Sequence, residues 1–310
     1  MRKGPGTSTI VYMSPSINKI SLAAAFACAL FCPLSAAQTS GPNMSALYPA
    51  AMHTGTKSIN KFKPYKLLFV PGFMSDLAGK PLTLPTGRKI IVGQYFNDQI
   101  NWAKSKGIEA LRVDIESENP PSQNAQILAR EILNSEKPVI LVTHSKGGLD
   151  TLELLIKHPD LKAKIKGWVA IQAPFYGCPW ADYLFDKPAL NKVSKTLLTL
   201  LGGNISSLDS LRMETRKNYM RDNAREIENI TANMPVLCVV SWNKPKDPFL
   251  ADLDANYKSD GVVPAQSQKL PGARYIEIPG LDHLSTVMPI PFCKHDRPAS
   301  LKAFLFLLLK

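Results

Sequence analysis

The stretch that decides the reading of this chain is Pro138-Val139-Ile140-Leu141-Val142-Thr143-His144-Ser145-Lys146-Gly147-Gly148-Leu149-Asp150. Val139 to Val142 is a short apolar, largely β-branched run, the pattern of a parallel strand buried on both faces. Gly147 and Gly148 follow, and after them Leu149, Leu152, Leu155 and Ile156 recur at helical spacing. A strand turning sharply into a helix around one serine is the setting of a nucleophile elbow. The turn strains the serine backbone and lifts its hydroxyl clear of the sheet. Small neighbours let strand and helix approach, and the helix N-terminus adds positive potential where an oxyanion would form. A serine after a strand also serves often as an ordinary helix cap, and Thr143 stands where Gly-x-Ser-x-Gly has its first glycine. The elbow therefore needs a base, an acid and an oxyanion hole elsewhere in the chain.

Outward from this stretch, short apolar runs alternate with helical patterns. Strands are expected at Lys66–Val70, Ala110–Val113, Trp168–Ile171, through Val236–Val240, and at Tyr275–Ile278. Helices are expected from about Gly93 to Ser105, over Ala125–Leu133, and after the elbow. Such alternation predicts an α/β fold with a doubly wound, mostly parallel sheet, whose ligands bind beyond the carboxyl ends of the strands. Between Pro179 and Pro235 no strand pattern occurs. Leu190, Val193, Leu197, Leu200 and Leu201 mark one amphipathic helix stopped by Gly202-Gly203, and a second helical stretch runs from about Ser207 to Ile230. An all-helical insertion at about residues 180–232 is a candidate cap (lid); two ordinary peripheral helices would look the same.

The N-terminus reads as a targeting segment. Lys19 precedes the apolar run Ile20–Leu34, and Ser35-Ala36-Ala37 follows. This is the pattern of a signal peptide over residues 1–37 with cleavage near Ala37, and it predicts a secreted or periplasmic protein. Met13 is an alternative start. Residues 38–62 read as an extended N-terminal arm, and 63–310 as the main domain. The 310 residues, 45% of them hydrophobic, suit one such domain with an insertion. The formal charge of +12 becomes +9 when Arg2, Lys3 and Lys19 leave with the leader. The surplus is scattered rather than set in a stripe with interleaved aromatics, so the signal for nucleic acid is weak and no such partner is expected; attraction to an anionic membrane surface or polymer is a comparable option. Three cysteines would remain in an oxidising compartment. Cys238 sits in a core-strand pattern, which leaves Cys178 and Cys293 as the disulfide by elimination, although sequence alone does not fix connectivity.

The base is sought among five histidines. His53 precedes the core fold, His144 should point away from the elbow, His158 follows the elbow helix, and His295 reads as surface. His283 lies in a turn-rich loop directly after the last strand, at the sheet edge where the elbow also sits. For the acid, Asp260 in Lys258-Ser259-Asp260-Gly261-Val262-Val263-Pro264 follows the Cys238 strand, with Asp247, Asp252 and Asp254 as competitors. The segment could equally be an Asp-Gly turn. Two backbone N–H groups are needed for an oxyanion. Lys146, the residue after the serine, offers one. The turn Val70-Pro71-Gly72-Phe73 offers the other, with Phe73 as donor.

The order Ser145, Asp260, His283 is that of the α/β-hydrolase triad. At this point the chain resembles the secreted bacterial triacylglycerol lipases and related esterases of the α/β-hydrolase fold. The resemblance rests on Val70-Pro71-Gly72-Phe73, Thr143–Gly148, Ala173–Asp182, Ser259–Pro264 and Leu281–Ser285, in that order. It implies a serine hydrolase of carboxylic esters, with acylglycerol or another apolar acyl ester as substrate and no cofactor. Phe73, Phe175, Tyr176 and Trp180 would line an acyl pocket between sheet and cap, with Tyr183 and Leu184. Pro71, Phe175-Tyr176 and Cys178 depart from the family pattern and bear on substrate more than on chemistry. No motif for the calcium site of some relatives is found, and no metal is assigned. A phospholipase, polyester depolymerase or acyltransferase would use the same triad, and a non-catalytic binding protein could share the fold.

Overall fold

The computed structural model describes residues 41–53, 55–73, 75, 81–83, 89–91, 94–186, 205–243, 258–289 and 293–310. The predicted leader, the helix expected around Leu190–Leu201, and Asp247, Asp252 and Asp254 lie outside them. The described residues belong to one compact unit, Thr39–Lys310.

Eight strands occur among them: β1 (Lys66–Val70), β2 (Pro81–Thr83), β3 (Lys89–Ile91), β4 (Glu109–Arg112), β5 (Val139–His144), β6 (Ile165–Ile171), β7 (Val236–Trp242) and β8 (Arg274–Pro279). The small antiparallel pair β2–β3 stands apart and was not foreseen from sequence. The other six form one sheet in the order β4-β1-β5-β6-β7-β8, with every neighbouring pair parallel. The order reverses at β1, which pairs with β4 on one side and β5 on the other. The crevice that opens at such a reversal lies at the carboxyl ends of β1 and β5, where Val70 pairs with Thr143.

The central strands are apolar throughout because both faces are covered. Leu68, Val70, Val139 and Leu141 face one buried cluster, whereas Leu67, Phe69, Ile140 and Val142 face the other, the alternation a pleated strand imposes. The first cluster is closed by helices α3 (Pro121–Leu133) and α4 (Lys146–Lys157), through Leu128, Ile132, Leu152 and Leu155. The second is closed by α2 (Asn97–Ser105) and a C-terminal helix over Arg297–Leu308, through Ala103, Leu301 and Phe304. That last helix is capped by Asp296, whose carboxylate accepts from Ala299 N–H at 2.9 Å.

The described residues of the predicted cap are helical: α5 (Pro179–Asp186), α6 (Ile205–Asp209), α7 (Met213–Asp222) and α8 (Ala224–Asn233). The C-terminal helix Arg297–Leu308 is therefore α9. Ile227 and Ile230 of α8 pack into the first core cluster.

The N-terminal arm is not extended. Its described part coils into a 3-10 turn at Ser45–Leu47, the short helix α1 (Tyr48–Met52) and a 3-10 stretch at Thr56–Phe62. Met44 N–H bonds Tyr275 O at 2.8 Å, and Tyr275 N–H bonds Pro42 O at 3.1 Å. Glu277 N–H bonds the Ser45 hydroxyl at 2.8 Å. The arm thereby pairs the free edge of β8, which would otherwise expose a row of unpaired backbone groups.

Candidate active site

β5 ends at His144 and α4 begins at Lys146, so Ser145 alone makes the turn. Its backbone sits at φ 53°, ψ −129°, a conformation that side chains other than glycine's rarely adopt. Its N–H bonds Ile171 O on the neighbouring strand at 3.0 Å, and its carbonyl accepts from Gly148 N–H at 2.9 Å. Glycines make the turn sterically feasible. A Cβ on Gly147 would stand 2.5 Å from Pro71 O, and one on Gly148 would stand 2.4 Å from the Ala173 Cβ. A Cβ on Gly72 would stand 2.8 Å from the Ser145 Cβ, so the turn after β1 lies against the serine. Thr143 fits the position usually held by glycine because its hydroxyl has work there. It accepts from the buried Trp168 indole N–H at 2.9 Å.

All six strands run the same way, so the loops after β5, β7 and β8 gather at one rim. His283 and Asp260 meet there, with His283 Nδ1 2.8 Å from Asp260 Oδ2. The Asp260 side chain is fully covered, and its Oδ1 accepts from Val262 N–H at 3.0 Å and Val263 N–H at 2.8 Å. These bonds hold the carboxylate in a fixed orientation facing the imidazole.

Sequence reasoning placed His144 facing away from the elbow. The structure corrects this. Its ring centroid lies 4.6 Å from that of His283, and its Nε2 is 2.8 Å from His283 O. The carbonyl can only accept, so Nε2 carries the proton. Complete burial holds the His144 imidazole well below its usual range, and the neighbouring His283 adds to this. His144 is therefore a neutral prop beneath the histidine loop. His295 is also not a free surface group: its Nε2 lies 2.9 Å from the Ser300 hydroxyl.

Lys146 begins α4, and the first N–H groups of a helix have no intrahelical carbonyl to meet. The sequence marked only its backbone N–H, and not its side chain. It is 1% exposed, and its ammonium bonds both oxygens of buried Asp150 at 2.8 and 3.1 Å. Asn124 Nδ2 bonds the same carboxylate at 2.9 Å. The i,i+4 spacing was visible in the sequence, but nothing there marked the pair as buried.

Phe73 is half-buried, with its ring 6.5 Å from that of Trp180, which lies on α5. Tyr176 is also half-buried, and burial pushes its phenol up to about 12, so it is neutral at physiological pH. Phe175 is a core side chain, fully buried and edge-on to Trp168 at 5.8 Å. It supports the wall from behind. Tyr183 is half-buried on α5, and the Leu184 side chain lies outside the described residues.

The expected Cys178–Cys293 disulfide is not formed; both are free thiols, as is Cys238. Cys178 is buried, its thiol 3.5 Å from Leu211 O in the turn after α6, whereas Cys293 is only partly buried. Burial pushes the Cys178 thiol up and the Cys238 thiol up to about 12, which makes both unreactive. No metal-ligand cluster occurs among the described residues.

Solved structures identify the architecture. A metagenomic carboxyl esterase aligns with a TM-score of 0.63 at 21% identity, covering 80% of this chain and 76% of that one. A Bacillus licheniformis lipase in mature form aligns with a TM-score of 0.58 at 20% identity, covering 79% of this chain and 91% of that one. The chain has the α/β-hydrolase fold. The propeptide form of the Bacillus lipase aligns equally, with a TM-score of 0.60 at 19% identity, covering 79% of this chain and 50% of that one. No family model matches the chain, and no curated protein matches it. In this α/β-hydrolase architecture Ser145 occupies the strand–turn–helix after β5, and the His283–Asp260 pair lies in the loops beyond β8 and β7.

Proposed function

We propose that the chain is a serine hydrolase of carboxylic esters with apolar acyl groups, in the manner of a lipase or carboxylesterase. The observation that carries this reading is a strained serine at φ 53° on the same sheet rim as a histidine whose Nδ1 is tied to a buried carboxylate. The fold shared with an esterase and a lipase supports it.

With Nδ1–H donated to Asp260, the His283 Nε2 is left to take the Ser145 proton. The serine oxygen then bonds the ester carbonyl carbon, and the carbonyl oxygen becomes an oxyanion held by the N–H groups of Phe73 and Lys146. His283 returns the proton to the departing alcohol. Water, deprotonated by the same imidazole, adds to the acyl carbon, and the bond from that carbon to the Ser145 oxygen breaks as His283 returns the proton to the serine, which frees the acid. Phe73, Tyr176 and Trp180 supply the apolar surface for the acyl chain. Each step moves one proton and needs only Ser145, His283, Asp260 and the oxyanion donors.

A fluorophosphonate probe tests the reading. The wild type should label and Ser145→Ala should not; equal labelling of both, or no labelling of the wild type, overturns it. A series of nitrophenyl esters from short to long acyl chains, with and without an emulsified interface, then separates lipase from esterase. Export belongs to the same proposal: the mature protein should begin just after Ala37, which N-terminal sequencing reads directly.

A further inference from the structure

We infer that two buried glutamines, Gln172 and Gln268, joined through Ser241, are positioning residues that hold the acid and histidine loops in register. This rests on the Ser145–His283–Asp260 reading above. Both amides are 0% exposed. Gln268 ends the 3-10 turn Ala265–Gln268. Its Oε1 accepts from Ser241 N–H at 2.8 Å, which fixes how the amide is turned, because that backbone group can only donate. The Nε2 end must then face the acid loop. There it donates to Ser241 O at 3.0 Å and Val263 O at 2.9 Å, and shares a longer bond of 3.3 Å with Asp260 Oδ2, the oxygen that also meets His283.

Gln172 performs the matching task for the histidine loop. It follows β6 with φ 51°, in the left-handed region unusual for a non-glycine, and its N–H bonds Val239 O at 2.9 Å. Its Nε2 donates to the Ser241 hydroxyl at 2.6 Å and to Asp282 O at 3.2 Å, and its Oε1 accepts from the Thr286 hydroxyl at 2.6 Å. Asp282 and Thr286 lie on either side of His283. The Ser241 hydroxyl completes the bridge by donating to Leu281 O at 3.2 Å. An apolar side chain would fill either site without the cost of burying an amide. What the amides add is direction: one chain of bonds runs from Thr286 through Gln172, Ser241 and Gln268 to Asp260.

Gln268→Met keeps the length of the side chain and removes its bonds. The expected result is kcat lower by on the order of tenfold with KM nearly unchanged, the pattern of misplaced reacting groups rather than lost substrate binding. In protein labelled with 15N-histidine, the His283 Nδ1–H resonance should shift relative to wild type while circular dichroism stays native. Ser241→Ala, which cuts the bridge but leaves both amides, should lower kcat in the same direction and carries the test if Gln268→Met does not fold. Wild-type kcat together with an unshifted His283 resonance in the folded variants overturns the inference. If wild-type protein shows no Ser145-dependent hydrolysis, the hydrolase reading fails separately. The resonance then decides alone: a shift upholds the bridge, and none overturns it.

Discussion

His283 and Asp260 are joined twice: the imidazole Nδ1 lies 2.8 Å from the carboxylate Oδ2, and His283 N–H bonds Asp260 O at 2.9 Å. The backbone bond sets the approach of the two loops independently of the side chains. Asp260→Asn should therefore leave the fold intact while giving the imidazole an N–H neighbour in place of an acceptor. The expected loss in kcat is about 10⁴-fold, with KM little changed, as measured by steady-state hydrolysis of a nitrophenyl ester.

Lys146 and Asp150 form an ion pair whose side chains are 1% and 0% exposed. Burial raises the Asp150 carboxyl, and Lys146 opposes the rise. Removing one partner leaves the other charge buried alone. Asp150→Ala should cost about 3–5 kcal/mol in urea unfolding. Lys146→Met combined with Asp150→Leu should recover most of that loss, since an apolar pair of similar volume needs no solvation.

His144 makes stability depend on pH. Burial holds its imidazole well below the ordinary 6.5, so below that pH the unfolded chain takes up a proton that the native state refuses. Its contribution is present above 6.5 and lost as pH falls further toward the native value. His295 shifts in the same direction, first through burial and then through Arg297. The thermal midpoint of the wild type should drop between pH 7.5 and 5, and His144→Gln should lessen that drop. An unchanged pH dependence in the variant would count against the assignment.

Gly147 and Gly261 should respond differently to alanine. At Gly147 the new methyl meets backbone oxygens of Pro71 at 2.5 Å and Val70 at 2.6 Å, and backbone cannot swing aside. At Gly261 there is open space and only φ 94° to bear. Denaturant unfolding should show a loss of more than about 3 kcal/mol or no folded protein for Gly147→Ala, against about 1–2 kcal/mol for Gly261→Ala.

Most of the sheet was legible because parallel strands buried on both faces leave a local mark. The runs around Leu67, Ile140, Val169 and Leu237 are apolar at every position, and all four side chains are fully covered. Strand ends moved by one to three residues, as at Ile165–Ile171 against the expected Trp168–Ile171. The strand–serine–helix turn was legible because Gly147 and Gly148 directly follow the Ser145-Lys146 pair, although the groups that exclude a Cβ there, Val70 O, Pro71 O and the Ala173 Cβ, come from distant segments.

What the amino-acid order by itself determined was the α/β alternation, the elbow at Ser145, and the succession of serine, acid and histidine along the chain. These are properties of neighbours in sequence, where hydrophobic period and glycine spacing act directly. Only the tertiary structure decided which polar groups are buried and what they meet. Gln172 and Gln268 are 96 residues apart in the numbering and share Ser241. Lys146 carries no sequence mark of burial, yet in the fold its ammonium and Asn124 Nδ2 share the buried Asp150 carboxylate. His144 meets His283, 139 residues away, because the loop after β8 brings the His283 carbonyl to its Nε2. The cost of leaving a buried donor or acceptor unmatched is set by groups brought in from distant segments, and no local pattern carries that information.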